Sequence, residues 1–136
     1  MSRKLIRVRD VMKSEFDIVE GMSTVADALE KMRYVDTKTL IVNKRHDDDE
    51  YGIVTLSGIA RNVLAVDRSP ERTNIYEIMT KPALTVRPDM DIRYCARMFV
   101  HFRLTRAPVE EGGKVIGIIS VSDLVLKGMI KRESDD

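Results

Sequence analysis

The sequence predicts an α+β fold, two βαββα repeats whose small mixed sheets pack about a pseudo-twofold cleft. Three observations predict it. The chain repeats itself, with Met12 recurring as Met79 sixty-seven residues on and Gly52 as Gly117 sixty-five residues on. Each copy carries one stretch of helical apolar period. Each copy then follows that stretch with short apolar runs of strand character, separated by polar or glycine-rich turns.

The elements follow in order. The first copy opens on Arg9-Asp10-Val11-Met12-Lys13, and the second on Tyr76-Glu77-Ile78-Met79-Thr80. Val25, Ala28, Leu29 and Met32 then stand at i, i+3, i+4 and i+7, as do Ile92, Cys95, Ala96 and Phe99, so each set makes one apolar helical face. Thr24 with Asp27 is a capping pair for the first of these helices, and Asp89 or Asp91 suits the second. Strands are expected at Thr39-Leu40-Ile41-Val42 and Arg106-Ala107-Pro108-Val109. Pro108 belongs at a strand start or edge because it cannot donate to a ladder. Further strands are expected at Tyr51 to Thr55 and Ile116 to Ser120, and Glu110-Glu111-Gly112-Gly113 reads as a hairpin turn. Each copy ends in a second helix, from Ser57 to about Val66 and from Ser122 to about Lys131. Residues 1–136 thus read as a single module, with repeat one at about 5–66, a linker at about 67–74 and repeat two at about 75–131. A half of this size buries little core alone, whereas two copies packed sheet to sheet bury far more.

Composition narrows the function. Hydrophobic residues make up 43% and charged residues 33% of 136, the balance of a globular protein with a core. Lys plus Arg number 23 against 22 Asp plus Glu, and a net charge of +1 gives no pull toward nucleic acid or a membrane surface. The absence of Trp and an aromatic content of 5% speak against a stacking platform for single strands. One cysteine excludes an internal disulfide. The opening residues lack the apolar core of a signal peptide, and no apolar run approaches the ~20 residues of a membrane span, so a cytoplasmic location is expected.

Catalytic patterns are missing. There is no Walker loop, no His-Glu-x-x-His, no nucleophile elbow and no paired acidic metal site, so the chain is expected not to be an enzyme and to hold no metal. His46-Asp47-Asp48-Asp49-Glu50 lacks the spaced oxygens of a calcium loop and reads as a flexible, solvated hairpin loop. His101 has no Cys or His at ligand spacing, and Cys95 falls on the apolar face as a core thiol.

Asp10-Val11-Met12, Val25-Ala26-Asp27-Ala28-Leu29 and Gly52-Ile53-Val54-Thr55 together resemble one CBS repeat, named for cystathionine β-synthase. Glu77-Ile78-Met79-Thr80, Thr105-Arg106-Ala107-Pro108-Val109 and Gly117-Ile118-Ile119-Ser120-Val121-Ser122-Asp123-Leu124 resemble a second. The chain is therefore similar to a stand-alone tandem CBS pair, or Bateman module.

That resemblance implies a non-catalytic regulatory module. Its ligand would contain adenosine (AMP, ADP, ATP or S-adenosylmethionine), would sit in the cleft as a regulatory ligand, and would be signalled to a partner or oligomer. No cofactor is required. The family motif Gly-apolar-x-Ser/Thr-x-x-Asp is complete at Gly117, Ser120 and Asp123. A carboxylate there can accept both ribose hydroxyls, and a helix start favours anions. The implied ligand set is Asp123, Ser120, Ser122, Ile118 and Arg106 with Phe16, Asp17, Ile18, Thr37, Lys38 and Thr39, Arg106 matching a basic position that faces phosphates. The first repeat has Gly58 where Asp is expected. A weaker second site is implied at Thr55, Pro82, Leu84, Thr105, Ala107 and Pro108.

The residues alone leave simpler roles open: Asp123 as a helix cap, Ser120 as a strand-end hydroxyl, and Arg106 and Lys38 as solvated charges. The resemblance also implies a homodimer through the helices and an effector protein still to be identified. A ligand-independent dimerisation or interaction module is the alternative.

Overall fold

The computed structural model describes residues 5–130, and they divide into two units, one contiguous (Glu15–Ala83) and one drawn from both ends of the sequence, up to Ser14 and from Leu84 onward. The expectations for Met1 to Lys4 and for Lys131 lie outside the described residues.

The contiguous unit holds strand β1 (Asp17–Val19), helix α2 (Val25–Glu30), β2 (Thr39–Val42), β3 (Gly52–Thr55) and helix α3 (Leu56–Ile59), which runs on in π-form through Ala60–Leu64. Helix α1 (Val8–Val11) precedes them in sequence and belongs to the other unit. Strand β2 is central: it pairs parallel with β1 and antiparallel with β3, and all four of its residues are buried. The Thr24 hydroxyl accepts the Asp27 N–H at 3.1 Å, so the cap read from sequence forms. Val25 and Ala28 of α2 are buried in a core with Leu40, Val54, Ile59 and Ile75, and Met32 packs against it from beyond the helix end.

The discontinuous unit holds α1, helix α4 (Ile92–Phe102), β4 (Arg106–Glu111), β5 (Lys114–Ser120) and a last helix, α5, π-helical over Asp123–Met129. Ile92, Cys95 and Phe99 bury the predicted face of α4 against Val8, Val11, Val109 and Ile119, and Asp91 caps it by accepting the Arg93 N–H at 2.9 Å. Gly112 and Gly113 have φ of 60° and 81°, the positive values that a two-residue type I′ hairpin turn requires. The ladder they close pairs Arg106 with Ser120 and is offset by a bulge at Val109/Glu110.

One element is shorter than its counterpart. Where the repeat expects a first strand, the second copy makes a single parallel bridge, Val86 to Val109. Val86 donates to Pro108 (3.0 Å) and accepts from Glu110 (2.9 Å). The next residue facing the same neighbour is Pro88, which has no N–H, so the ladder stops.

The opening segments are exchanged between the copies. Lys13 donates to Ile118 and accepts from it, at 2.9 and 2.8 Å, on strand β5 of the second copy. Thr80 makes the same reciprocal pair with Ile53, at 2.9 Å each way, on strand β3 of the first. Both segments begin with the same cap: Asp10 accepts the Arg7 N–H (2.9 Å), and Glu77 accepts the Asn74 N–H (2.8 Å).

The motif glycines receive these segments. A Cβ on Gly117 would lie 2.7 Å from both the Lys13 carbonyl oxygen and the Met12 Sδ. On Gly52 it would lie 3.0 Å from the Met79 Sδ and 3.3 Å from the Thr80 oxygen. The glycine of the motif therefore serves backbone approach within the unit.

Candidate ligand site at Asp123

Strand β5 ends at Ser120, and the chain turns at once into the last helix. The Ser120 hydroxyl accepts the Asp123 N–H at 3.1 Å, while Asp123 Oδ2 accepts the Ser120 N–H at 3.2 Å and its hydroxyl at 2.9 Å. This is a reciprocal capping box, so the helix-cap role left open by the sequence is realised. It fixes the carboxylate at the helix start.

The same carboxylate carries an ionic role. The Asp123 side chain is 3% exposed, and its Oδ1 lies 2.7 Å from Lys13 Nζ and 3.2 Å from Lys127 Nζ. Burial pushes the carboxyl upward, but hydrogen bonds from Lys13, Ser120 and Lys127, with the Lys13 charge, outweigh it and hold the group below its ordinary value. Arg106 pairs with Ser120 across the ladder. Burial lowers its guanidinium pKa, and the Asp123 charge opposes that. One buried carboxylate thus stands among three cations, a setting that attracts a further anion.

The remaining predicted residues divide between the units. Ile118 is buried under β4 and Ser122 is exposed at the helix start. Phe16, Asp17, Ile18, Thr37, Lys38 and Thr39 lie in the contiguous unit. There Asp17 accepts the Arg33 and Tyr34 N–H groups at 3.0 and 2.9 Å, closing the turn after α2. Thr37 and Thr39 are buried and bond each other's backbone, the Thr39 hydroxyl donating to the Thr37 oxygen at 2.9 Å. Lys38, between them, is exposed with φ of 57°, and Ile18 is 47% exposed.

Of the weaker set, Thr55 and Pro82 are in the contiguous unit, and Leu84, Thr105, Ala107 and Pro108 in the other. Ala107 and Pro108 are buried. Thr55 repeats half of the Ser120 arrangement, accepting the Gly58 N–H at 3.0 Å, and Gly58 has no carboxylate to complete the box.

Sequence reasoning did not single out Lys13 or Lys127. Lys127 was findable, since it stands four residues after Asp123 on a helix. Lys13 reaches Asp123 only because its segment is exchanged onto β5. The internal duplication carries a trace of the pair: Thr80 stands at the Lys13 position of the other copy and Gly58 at the Asp123 position, so carboxylate and ammonium are present together or absent together. A buried charge without its partner is strongly destabilising, which is the physical reason for such pairing.

A family model described as the CBS domain matches residues 8–65 and again 75–129. The chain belongs to the CBS domain family. This CBS pair is similar to the hexameric CBS-CP12 protein from bloom-forming cyanobacteria, at 40% identity over 90% of this chain and 68% of that chain, with a TM-score of 0.86. In fold alone it is similar to the CBS domain pair of protein MJ0100 in complex with 5′-methylthioadenosine and S-adenosyl-L-methionine, at 21% identity, 94% and 99% coverage and a TM-score of 0.77. An uncharacterised protein of Methanopyrus kandleri is 28% identical over 113 residues, 80% of this chain and 57% of the relative. This CBS pair therefore spans little more than half the length of that relative.

The thiol and loop expectations also resolve. Cys95 is buried in the α4 core, and burial pushes its pKa up to about 11. The acidic loop is anchored rather than merely solvated: the Asp49 carboxylate, its side chain 8% exposed, takes Arg45 at 3.0 Å and Lys81 at 2.8 Å. No helix among the described residues is long and apolar enough to cross a membrane.

Proposed function

We propose that this CBS pair is a non-catalytic regulatory module that binds an adenosine-containing ligand at Asp123 and passes its occupancy to a partner or oligomer. The observation that carries this reading is the buried Asp123 carboxylate, fixed at a helix start and ringed by Lys13, Lys127 and Arg106. A carboxylate so placed accepts ribose hydroxyls, and the surrounding cations suit phosphate oxygens. The MJ0100 CBS pair, held in complex with two adenosine compounds, supports adenosine as the common part of the ligand. AMP, ADP, ATP and S-adenosylmethionine are the candidates, and the Gly58 copy binds more weakly.

Calorimetry with these four ligands, after carried-over ligand is removed, tests the reading. Saturable binding that Asp123→Asn weakens by roughly tenfold or more supports it. Neither heat nor a melting shift with any of the four overturns it.

A second reading, a dimerisation or interaction module, is favoured by one observation. Helix α5 and its flanks expose Val121, Val125, Leu126, Met129 and Ile130, each between 41% and 59%. These stand at helical spacing and form an apolar stripe of the kind that self-association covers. Sedimentation with and without ligand separates the two: a dimer lost on Leu126→Glu and indifferent to every ligand favours the second reading.

A further inference from the structure

The contiguous unit contains a cavity of about 490 Å³ at the end of β1 and β2, far in sequence from Asp123 and in the other unit. That volume is within the range of small-molecule sites. Its walls are apolar: Met22, Val42, Met79 and the ring of Tyr76 line it. Met22 and Tyr76 stay 75% and 49% exposed, although large apolar side chains beside a hollow gain by being covered.

The lining also carries charged groups of both signs. Glu20 takes a hydrogen bond from the neutral Asn43 amide at 3.0 Å, and among the described residues it has no ion pair. Arg45 and Lys81 share the carboxylate of Asp49 at 3.0 and 2.8 Å. The cavity therefore combines one carboxylate and two cations with an apolar wall.

The duplication supplies a comparison. The discontinuous unit has a hollow of about 320 Å³ at the equivalent place, with Arg87, Pro88 and Asp89 where the first copy has Glu20, Gly21 and Met22. There Arg87 pairs with Asp89 at 3.3 Å and Arg9 with Glu111 at 3.6 Å, Glu110 adds a further carboxylate, and Pro88 is the single apolar side chain in the lining. The fold makes the hollow in both copies, but it does not demand the apolar wall of the first.

We infer that the Glu20–Lys81 cavity is a second ligand site, for a small apolar zwitterion of the amino-acid class, with its ammonium toward Glu20 and its carboxylate toward Lys81 and Arg45. The inference does not depend on the adenosine reading, because no residue of the Asp123 site takes part.

Amide NMR titrations of the full chain test it, with L-phenylalanine, 3-phenylpropionate (no ammonium) and phenethylamine (no carboxylate) as probes. The expected result is saturable shifts at residues 20–22, 42–45 and 76–81, with phenylalanine binding roughly three- to tenfold more tightly than either analogue. Glu20→Gln should erase the advantage over 3-phenylpropionate, and Lys81→Gln the advantage over phenethylamine. Asp123→Asn should leave all three titrations unchanged. Equal affinities for the three probes, shifts centred on residues 85–89 and 110–113, or no saturable shift at all would overturn the proposal.

Discussion

Lys13 Nζ and Asp123 Oδ1, 110 residues apart in sequence, lie 2.7 Å from each other, so on the proposed adenosine reading the ammonium holds a carboxylate oxygen that a ribose hydroxyl would otherwise use. The other oxygen is held by the Ser120 N–H and hydroxyl. An adenosine ligand must therefore displace a donor from Asp123, and Lys13 is the one not built into the helix that the carboxylate caps.

The first prediction concerns that exchange. Lys13→Gln should tighten binding of 5′-methylthioadenosine, which carries no phosphate, by roughly three- to tenfold, because the competing ion pair is gone. AMP should gain less or lose, since the same ammonium is available to its phosphate. Paired calorimetric titrations measure both; equal changes for the two compounds would show that Lys13 does not compete for the ribose oxygen.

Acid stability follows from the same group. The folded-state pKa of Asp123 is held below its ordinary value, so its ionised form stabilises the fold above the unfolded carboxylate pKa of about 3.9, and that contribution is lost as pH falls through the lower folded value. Asp123→Asn should lower the melting temperature at neutral pH and flatten the decline below about pH 4. Thermal melts from pH 2 to 7 for both proteins check it; parallel curves would show that Asp123 does not contribute to the acid limb.

The glycine contacts give an ordering. Gly117→Ala puts a methyl 2.7 Å from the Lys13 carbonyl oxygen, which is backbone and cannot yield without breaking the Lys13–Ile118 pair. Gly52→Ala meets the movable Met79 thioether at 3.0 Å and the Thr80 oxygen at 3.3 Å. Gly117→Ala should cost about 2–3 kcal/mol and Gly52→Ala about 1 kcal/mol in chemical denaturation. The reverse order would remove the close-approach account of the motif glycine.

Cys95 should be inert while the chain is folded. With its pKa pushed up to about 11 and its side chain in the α4 core, roughly one thiol in a thousand is ionised at pH 8. Labelling by a thiol-specific chromogenic disulfide should show no fast phase in native buffer and go to completion in denaturant. A fast native phase would place the thiol at an accessible surface.

How much of this was legible in the sequence depends on range. The Thr24 and Asp91 caps, the Gly112-Gly113 turn and the buried face of Ile92, Cys95 and Phe99 are local patterns, and each forms as expected. Val86 makes one bridge instead of a strand because of Pro88, a local signal that the repeat alignment overrode. The exchange of the Lys13 and Thr80 segments left no local mark, because an internal duplication makes both destinations equally compatible with the pattern. Asp123 was recognised from its motif, but its two ammonium partners were not, and the closer of them comes from the exchanged segment.

The exchange also bears on what survives a cut backbone. A nick between residues 67 and 74 would leave two pieces, the earlier carrying the α1 segment that staples β5 and the later carrying the Ile75 to Thr80 segment that staples β3. Each piece would hold a part that the other's sheet requires. Such a chain is expected to persist as a non-covalent complex of complementary fragments, and its halves, separately expressed, should be poorly folded apart and recover structure on mixing.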